Sequence, residues 1–341
     1  MRLPRHSGRC RSGPVACVAA LLVLGAAACT STDQAAETPS GCVADAELVG
    51  AHSRHYLTSG GNEYEYLLYV PVAASAPAPL VLNFHGLGGD GAGQAAYTGY
   101  TDLAEAEGFV AVHPSGILVE SSKWGATRNW EGIGADTISR DDVQFVSDLI
   151  DRIAAQTCID LNRVYATGFS NGGYFSAHLV CGLTDRIAAT FSVGGISHPG
   201  GCQPARPVAM GAVHGTADEV VPFDNSRESV LLKGVQIDDE KVQELGEFFG
   251  EIIPDELAQF ATEFNCATAT ETRFDAVTWL TRYTGCDGDI ELRFYAIEGA
   301  GHIWPGSSWA KGGSKNGAAS ADGISATAQG WAFMSQYSLD R

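Results

Sequence analysis

The hydrophobic rhythm of the chain changes once after residue 48, and that change sets its fold class. Leu48 to Leu57 and Tyr64 to Val70 partly alternate apolar and polar positions around Ser59-Gly60-Gly61-Asn62, which predicts an N-terminal β-hairpin. Short unbroken apolar runs then follow at Leu80–Phe84, Phe109–His113, Arg163–Phe169, Ala189–Gly194, Val208–His214 and Leu292–Ile297. A strand covered on both faces has no side to leave polar, so these runs predict a mostly parallel central sheet. Helix-like stretches at Gly93–Glu107, Asp141–Ala155, Gly172–Leu183 and Ser325–Tyr337 predict helices flanking that sheet. The expectation is α/β, with one catalytic-sized domain over residues 42–341.

Residues 229–265 interrupt the rhythm. Asp238-Asp239-Glu240 can cap a helix carrying Val242, Leu245, Phe249 and Ile252 at helical spacing. Pro254 ends that pattern, and Leu257, Phe260, Ala261 and Phe264 begin a second apolar face. Two readings stand side by side: a helical lid or pocket wall, or a surface excursion.

The first segment reads as an export signal. Arg2, Arg5, Arg9 and Arg11 precede the apolar run Val15–Leu24, which is too short to span a bilayer and ends in small residues. Gly25-Ala26-Ala27-Ala28 followed at once by Cys29 and a polar tail resembles a bacterial lipoprotein cleavage site. Residues 1–28 are therefore expected to leave, Cys29 to carry lipid, and residues 29–41 to form a polar tether. Such a protein sits outside the cell, held to the outer face of the membrane by that lipid alone.

Composition agrees with a globular core-former, at 45% hydrophobic and 18% charged residues. Lys and Arg number 21 against 40 Asp and Glu. Removing the four arginines of the signal leaves 17 basic residues and a net charge of −23. That field repels nucleic acid and anionic membrane surfaces, and favours a neutral partner. Cys42, Cys158, Cys181, Cys202, Cys266 and Cys286 form an even set, expected to pair as Cys42–Cys158, Cys181–Cys202 and Cys266–Cys286 in an oxidising compartment. No CxxC or Cys/His ligand spacing argues for zinc, and the serine chemistry read below needs neither metal nor organic cofactor.

The chemistry concentrates in three places. Arg163 to Phe169 runs as a strand into Gly168-Phe169-Ser170-Asn171-Gly172, followed by Tyr174, Phe175 and Leu179 at helical spacing. A serine on a tight strand-to-helix turn exposes its hydroxyl, and small neighbours let the turn close, so Ser170 is the candidate nucleophile. With this elbow the acid and base follow in chain order. Asp218, just past the Val208–His214 strand, is the candidate acid, with Glu219 and Asp224 as rivals. His302 is the only histidine after Asp218 and lies in a loop beyond the last predicted strand, which makes it the candidate base. Leu87 and Asn171 are candidate oxyanion donors through their backbone N–H groups. Gly86-x-Gly88-x-x-Gly91 imitates a dinucleotide fingerprint, but the next strand ends in His113-Pro114-Ser115 where an acidic ribose ligand is required. Trp304 and Trp130 are candidate stacking surfaces for a substrate ring.

In order along the chain, Asn83-Phe84-His85-Gly86, Arg140-Asp141-Asp142-Val143-Gln144-Phe145-Val146, Tyr165 to Gly173, His214-Gly215-Thr216-Ala217-Asp218 and Glu298 to Gly306 resemble one family. It is the group of esterases that holds polyhydroxybutyrate depolymerases and the feruloyl and acetylxylan esterases of carbohydrate esterase family one. The resemblance implies an α/β-hydrolase fold, a neutral ester substrate that is small or polymeric, and triad roles for Ser170, Asp218 and His302. Residues 229–265 are longer than the family's usual connection. Readings of a different class are a peptidase or acyltransferase using the same triad, or a non-catalytic cell-surface binding protein.

Overall fold

The computed structural model describes residues 46–74, 77–121, 125–131, 140–224, 252–307 and 323–339, all within one compact unit spanning residues 41–341. The expected signal, Cys29 and the tether lie outside the described residues. The hairpin is present: β1 (His52–Ser59) pairs antiparallel with β2 (Asn62–Tyr69), from His52↔Tyr69 to Ser59↔Asn62. Its first strand begins at His52 rather than Leu48, because Ala46–Leu48 forms a 3-10 turn.

Then come β3 (Ala78–Phe84), α1 (Gly91–Thr98), α2 (Tyr100–Glu107) and β4 (Val110–Ser115). A small antiparallel ribbon of β5 (Ile117–Ser121) and β6 (Gly125–Asn129) precedes α3 (Asp142–Gln156). The chain continues through β7 (Ile159–Phe169), α4 (Asn171–Gly182), β8 (Ala189–Val193) and β9 (Ala209–Gly215). The last described elements are α5 (Ile253–Glu263), β10 (Thr268–Arg273), β11 (Thr278–Thr284), β12 (Leu292–Ile297) and α6 (Ala326–Met334).

Among the described residues ten strands form one sheet in the order β1-β2-β4-β3-β7-β8-β9-β12-β11-β10. The six central strands, β4 to β12 in that order, are mutually parallel and coincide with the six apolar runs. Their side chains alternate between two cores, as a two-residue period requires. Leu80, Leu82, Phe84, Val110, Val112, Val164 and Ala166 face α3, while Val81, Ala111 and Tyr165 face the side of α2, α5 and α6.

Three features correct or extend the expectations. The helix expected over Gly93–Glu107 is two helices, because Gly99 takes a left-handed φ of 71° that ends α1 and starts α2. Of the interruption at 229–265, the described part is α5, with Pro254 in its first turn, where a missing N–H costs nothing. Ile253, Leu257, Phe260, Ala261 and Phe264 of this described part are buried against the main core. Val242, Leu245 and Phe249 lie outside the described residues. Finally, β10 and β11 add an antiparallel edge with no apolar run to announce it, β10 being exposed along its whole length. Among the described residues no helix is long and apolar enough to cross a membrane.

Candidate active site

The candidate triad residues and oxyanion donors sit at the carboxyl ends of the central parallel strands, where ligands of open α/β sheets bind. β7 delivers Ser170, with β3 and its Gly-rich loop on one side and β8 on the other. Ser170 adopts φ 54° and ψ −119°, a conformation that costs a non-glycine residue about 1–3 kcal/mol. The turn is held by the Ser170 N–H bond to Val193 O at 2.8 Å and by tight contact with the end of β3. A Cβ on Gly172 would lie 2.2 Å from Phe84 O, so only glycine lets α4 start this close to β3. Gly86 stands against the elbow too, its Cβ position 3.3 Å from Ser170 Cβ.

The acid and base loops leave adjacent strands at one level, Gly215 of β9 being paired with Ile297 of β12. Three bonds lace them together. Thr216 N–H donates to Ile297 O at 3.0 Å and Ala217 N–H to Ala300 O at 2.9 Å, while Thr216 Oγ1 accepts from Gly299 N–H at 2.9 Å. Gly215 permits this closeness, since a Cβ there would meet Ala300 O at 2.3 Å. The result brings His302 Nδ1 to 2.7 Å from Asp218 Oδ2. The carboxylate can only accept, so Nδ1 carries the hydrogen and Nε2 is left as the basic nitrogen. The imidazole packs on Phe169, the residue before Ser170, with ring centroids 4.7 Å apart. The Gly194-Gly195 backbone lies against both partners: Cβ positions there fall 3.4 Å from His302 Cε1 and 2.9 Å from Ser170 O.

Asp218 is 1% exposed. Burial by itself would raise its carboxyl, but hydrogen bonding from His214 and His302 outweighs burial and holds it far below the usual carboxylate range. Val220 and Val221 N–H groups add two bonds to Oδ1, each 2.8 Å. The acid is thus ionised and fixed.

The loop after β3 is also held firmly. His85 Nε2 accepts from Gly116 N–H at 2.9 Å, so Nδ1 carries the proton and donates to Gly86 O at 2.7 Å. Burial lowers this imidazole to about 4 and keeps it neutral. Gly89 N–H donates to the same Gly86 oxygen at 3.0 Å. With that carbonyl pinned by two donors, the Leu87 N–H, trans across the same peptide, is fixed on the opposite side. Asn171, the first residue of α4, is buried and gripped by its amide: Oδ1 accepts from Trp130 N–H at 2.8 Å.

Behind Trp130 is a buried ion pair, Arg140–Asp142, at 2.9 Å with side-chain exposures of 1% and 0%. Asp142 also accepts from Tyr64 OH and Glu131 N–H, both at 2.7 Å, while Arg140 donates to Asn129 Oδ1 and O. The Arg140-Asp141-Asp142 stretch therefore anchors residues 129–131, which in turn hold Asn171. Asp141 caps α3 by accepting from Gln144 N–H at 2.7 Å.

A family model described as phospholipase/carboxylesterase matches residues 68–257, over half of the chain. The chain belongs to the phospholipase/carboxylesterase family. One curated relative of this carboxylesterase-family chain is the bifunctional acetylxylan esterase/xylanase of Neocallimastix patriciarum. It is 27% identical over 253 residues, covering 72% of this chain and 32% of that protein. Feruloyl esterase B of Piromyces equi is 27% identical over 267 residues, covering 77% of this chain and 42% of that protein. The chain thus spans about a third to two fifths of the length of these two relatives. Among solved structures, acetyl xylan esterase from Aspergillus awamori gives a TM-score of 0.51 at 16% identity, covering 74% of this chain and 95% of that one. That likeness shows the shared α/β-hydrolase fold.

Two expected substrate-binding residues have other work in this carboxylesterase-family chain. Trp130 is fully buried, stacked on Phe175 with centroids 5.1 Å apart, and its Nε1–H donates to His85 O at 3.0 Å. Trp304 is also fully buried; its Nε1–H donates to Thr327 Oγ1 at 2.9 Å and its backbone N–H to Tyr97 Oη at 2.7 Å. With 0% exposure neither indole offers a face to a substrate ring, so one is a core anchor of the elbow and the other a clamp on the base loop. Cys181–Cys202 and Cys266–Cys286 are bonded, and Cys158 is in a disulfide as well, its expected partner Cys42 lying outside the described residues. Among the described residues no group of three metal-ligating side chains occurs.

Sequence reasoning assigns no task to His85, His214 or Thr216, although each touches a site loop. The signal was present for His214, four residues before Asp218 at the end of a buried strand.

Proposed function

We propose that this chain is an exported serine carboxylic ester hydrolase acting on acyl esters of plant polysaccharides, with Ser170, Asp218 and His302 as its triad. The observation carrying the proposal is the 2.7 Å Asp218–His302 bond beside a serine held at positive φ. In the mechanism, His302 Nε2 takes the Ser170 proton as Oγ attacks the ester carbonyl, and Asp218 stabilises the imidazolium that forms. Backbone N–H groups of Leu87 and Asn171, the latter at the N-terminus of α4, receive the oxyanion. His302 then protonates the leaving alcohol, and a water activated by the same imidazole releases the acyl group. None of these steps requires a metal or organic cofactor.

The substrate class is supported by the names of the two curated relatives and by an acidic chain that disfavours anionic partners. Export is supported by the disulfides, which persist in oxidising compartments, and anchorage rests on the Cys29 motif. The test is a panel of acetylated xylan, methyl ferulate and hydroxybutyrate oligomers with the mature protein. Turnover of xylan acetate or ferulate above the hydroxybutyrate oligomers supports the assignment; the reverse order moves the enzyme to polyester hydrolysis.

A further inference from the structure

His214 has no part in the mechanism above, yet it shares the carboxylate on which the base depends. It is the next-to-last residue of β9, is 2% exposed, and places Nε2 2.9 Å from Val221 O and 3.3 Å from Asp218 Oδ2. A carbonyl oxygen only accepts, so Nε2 carries a hydrogen whether the ring is neutral or charged. That nitrogen therefore acts as a fixed donor and cannot accept a proton from the site. Val221 closes a circuit: its N–H binds Asp218 Oδ1 at 2.8 Å, its carbonyl holds His214, and His214 faces Oδ2.

We propose that His214 is a positioning residue for the catalytic base, keeping Asp218 turned so that Oδ2 meets His302 Nδ1. This inference rests on the Ser170–Asp218–His302 reading. Without His214, Oδ2 loses one of its two imidazole neighbours, and the twist of the carboxylate is restrained only by His302 and by the Val220 and Val221 bonds to Oδ1. The base is then held less firmly in the tautomer that leaves Nε2 free.

The experiment compares His214→Leu, which removes the donor, and His214→Gln, which keeps an N–H near the Nε2 position without an ionisable ring. Kinetics on p-nitrophenyl acetate are read beside the low-field proton resonance of His302 Nδ1–H, with Ser170→Ala as the control. Removing the N–H that faces the Asp218 carboxylate at 3.3 Å predicts a kcat for His214→Leu roughly ten- to a hundredfold below wild type, with KM within about twofold. The low-field resonance weakens in that variant, and His214→Gln recovers both kcat and the resonance. Wild-type kcat in His214→Leu beside an inactive Ser170→Ala overturns the positioning role and leaves the triad standing. Equal losses in the Gln and Leu variants overturn it as well, including where the Leu variant folds poorly. Full activity in Ser170→Ala removes the triad and this inference together.

Discussion

Trp130 and Asn171 grip each other: Trp130 N–H donates to Asn171 Oδ1 at 2.8 Å, and Asn171 Nδ2 returns a longer bond of 3.4 Å to Trp130 O. The proposed oxyanion donor is thus fixed by its own side chain. Asn171→Ala keeps the backbone N–H but frees its anchor. Loss of one oxyanion donor costs about 2.7–4 kcal/mol, so mere loosening should cost less, on the order of tenfold in kcat. Steady-state kinetics on p-nitrophenyl butyrate check this, with KM expected to stay near wild type.

The Arg140–Asp142 pair supports that anchor from below, and its value is best read by breaking it. Asp142→Asn leaves Arg140 buried without its counter-charge, which typically costs about 3–5 kcal/mol. Urea unfolding should show a midpoint well below wild type. Conservative replacement of the exposed Arg54–Glu65 pair should shift the midpoint hardly at all.

Acid stability should follow two buried imidazoles. Burial lowers His85 to about 4 and His113 to about 3, both below the 6.5 of a free histidine. Between pH 6.5 and those values the unfolded chain binds protons that the folded chain refuses, so stability falls as pH drops through this window. Both His113 ring nitrogens lack a hydrogen-bond partner among the described residues, so His113→Leu should remove part of this loss without breaking a bond. Thermal melts of wild type and variant at pH 7 and pH 4 should diverge in favour of the variant at pH 4, by on the order of 3 kcal/mol.

The Cys266–Cys286 bridge ties the end of α5 to the turn before β12 and closes a separation of 20 residues. Replacing both cysteines by serine should lower stability by about 3 kcal/mol, read as a reduced melting temperature under non-reducing conditions.

Much of this fold was legible because the buried parallel strands carry unbroken apolar runs; the Leu292–Ile297 run and β12 share the same bounds. β10 was not, because Thr268-Ala269-Thr270-Glu271-Thr272-Arg273 covers no core on either face and so leaves no period to read. Ser170, Asp218 and His302 could be chosen from chain order and strand ends, which are one-dimensional facts. The burial of Trp130 and Trp304 could not, since an indole beside a loop reads alike whether it faces solvent or core. For His214 only its place four residues before Asp218 is legible; its bond to Val221 O exists only once the turn after β9 has formed.

The most direct test of the account labels the nucleophile itself. A p-nitrophenyl phosphonate ester, incubated with the mature protein and followed by peptide mass spectrometry, should add one phosphonyl group, on the peptide containing Ser170. Ser170→Ala should take up no label, and His302→Ala should react far more slowly. A label on another residue, or wild-type ester turnover by Ser170→Ala, would contradict the account.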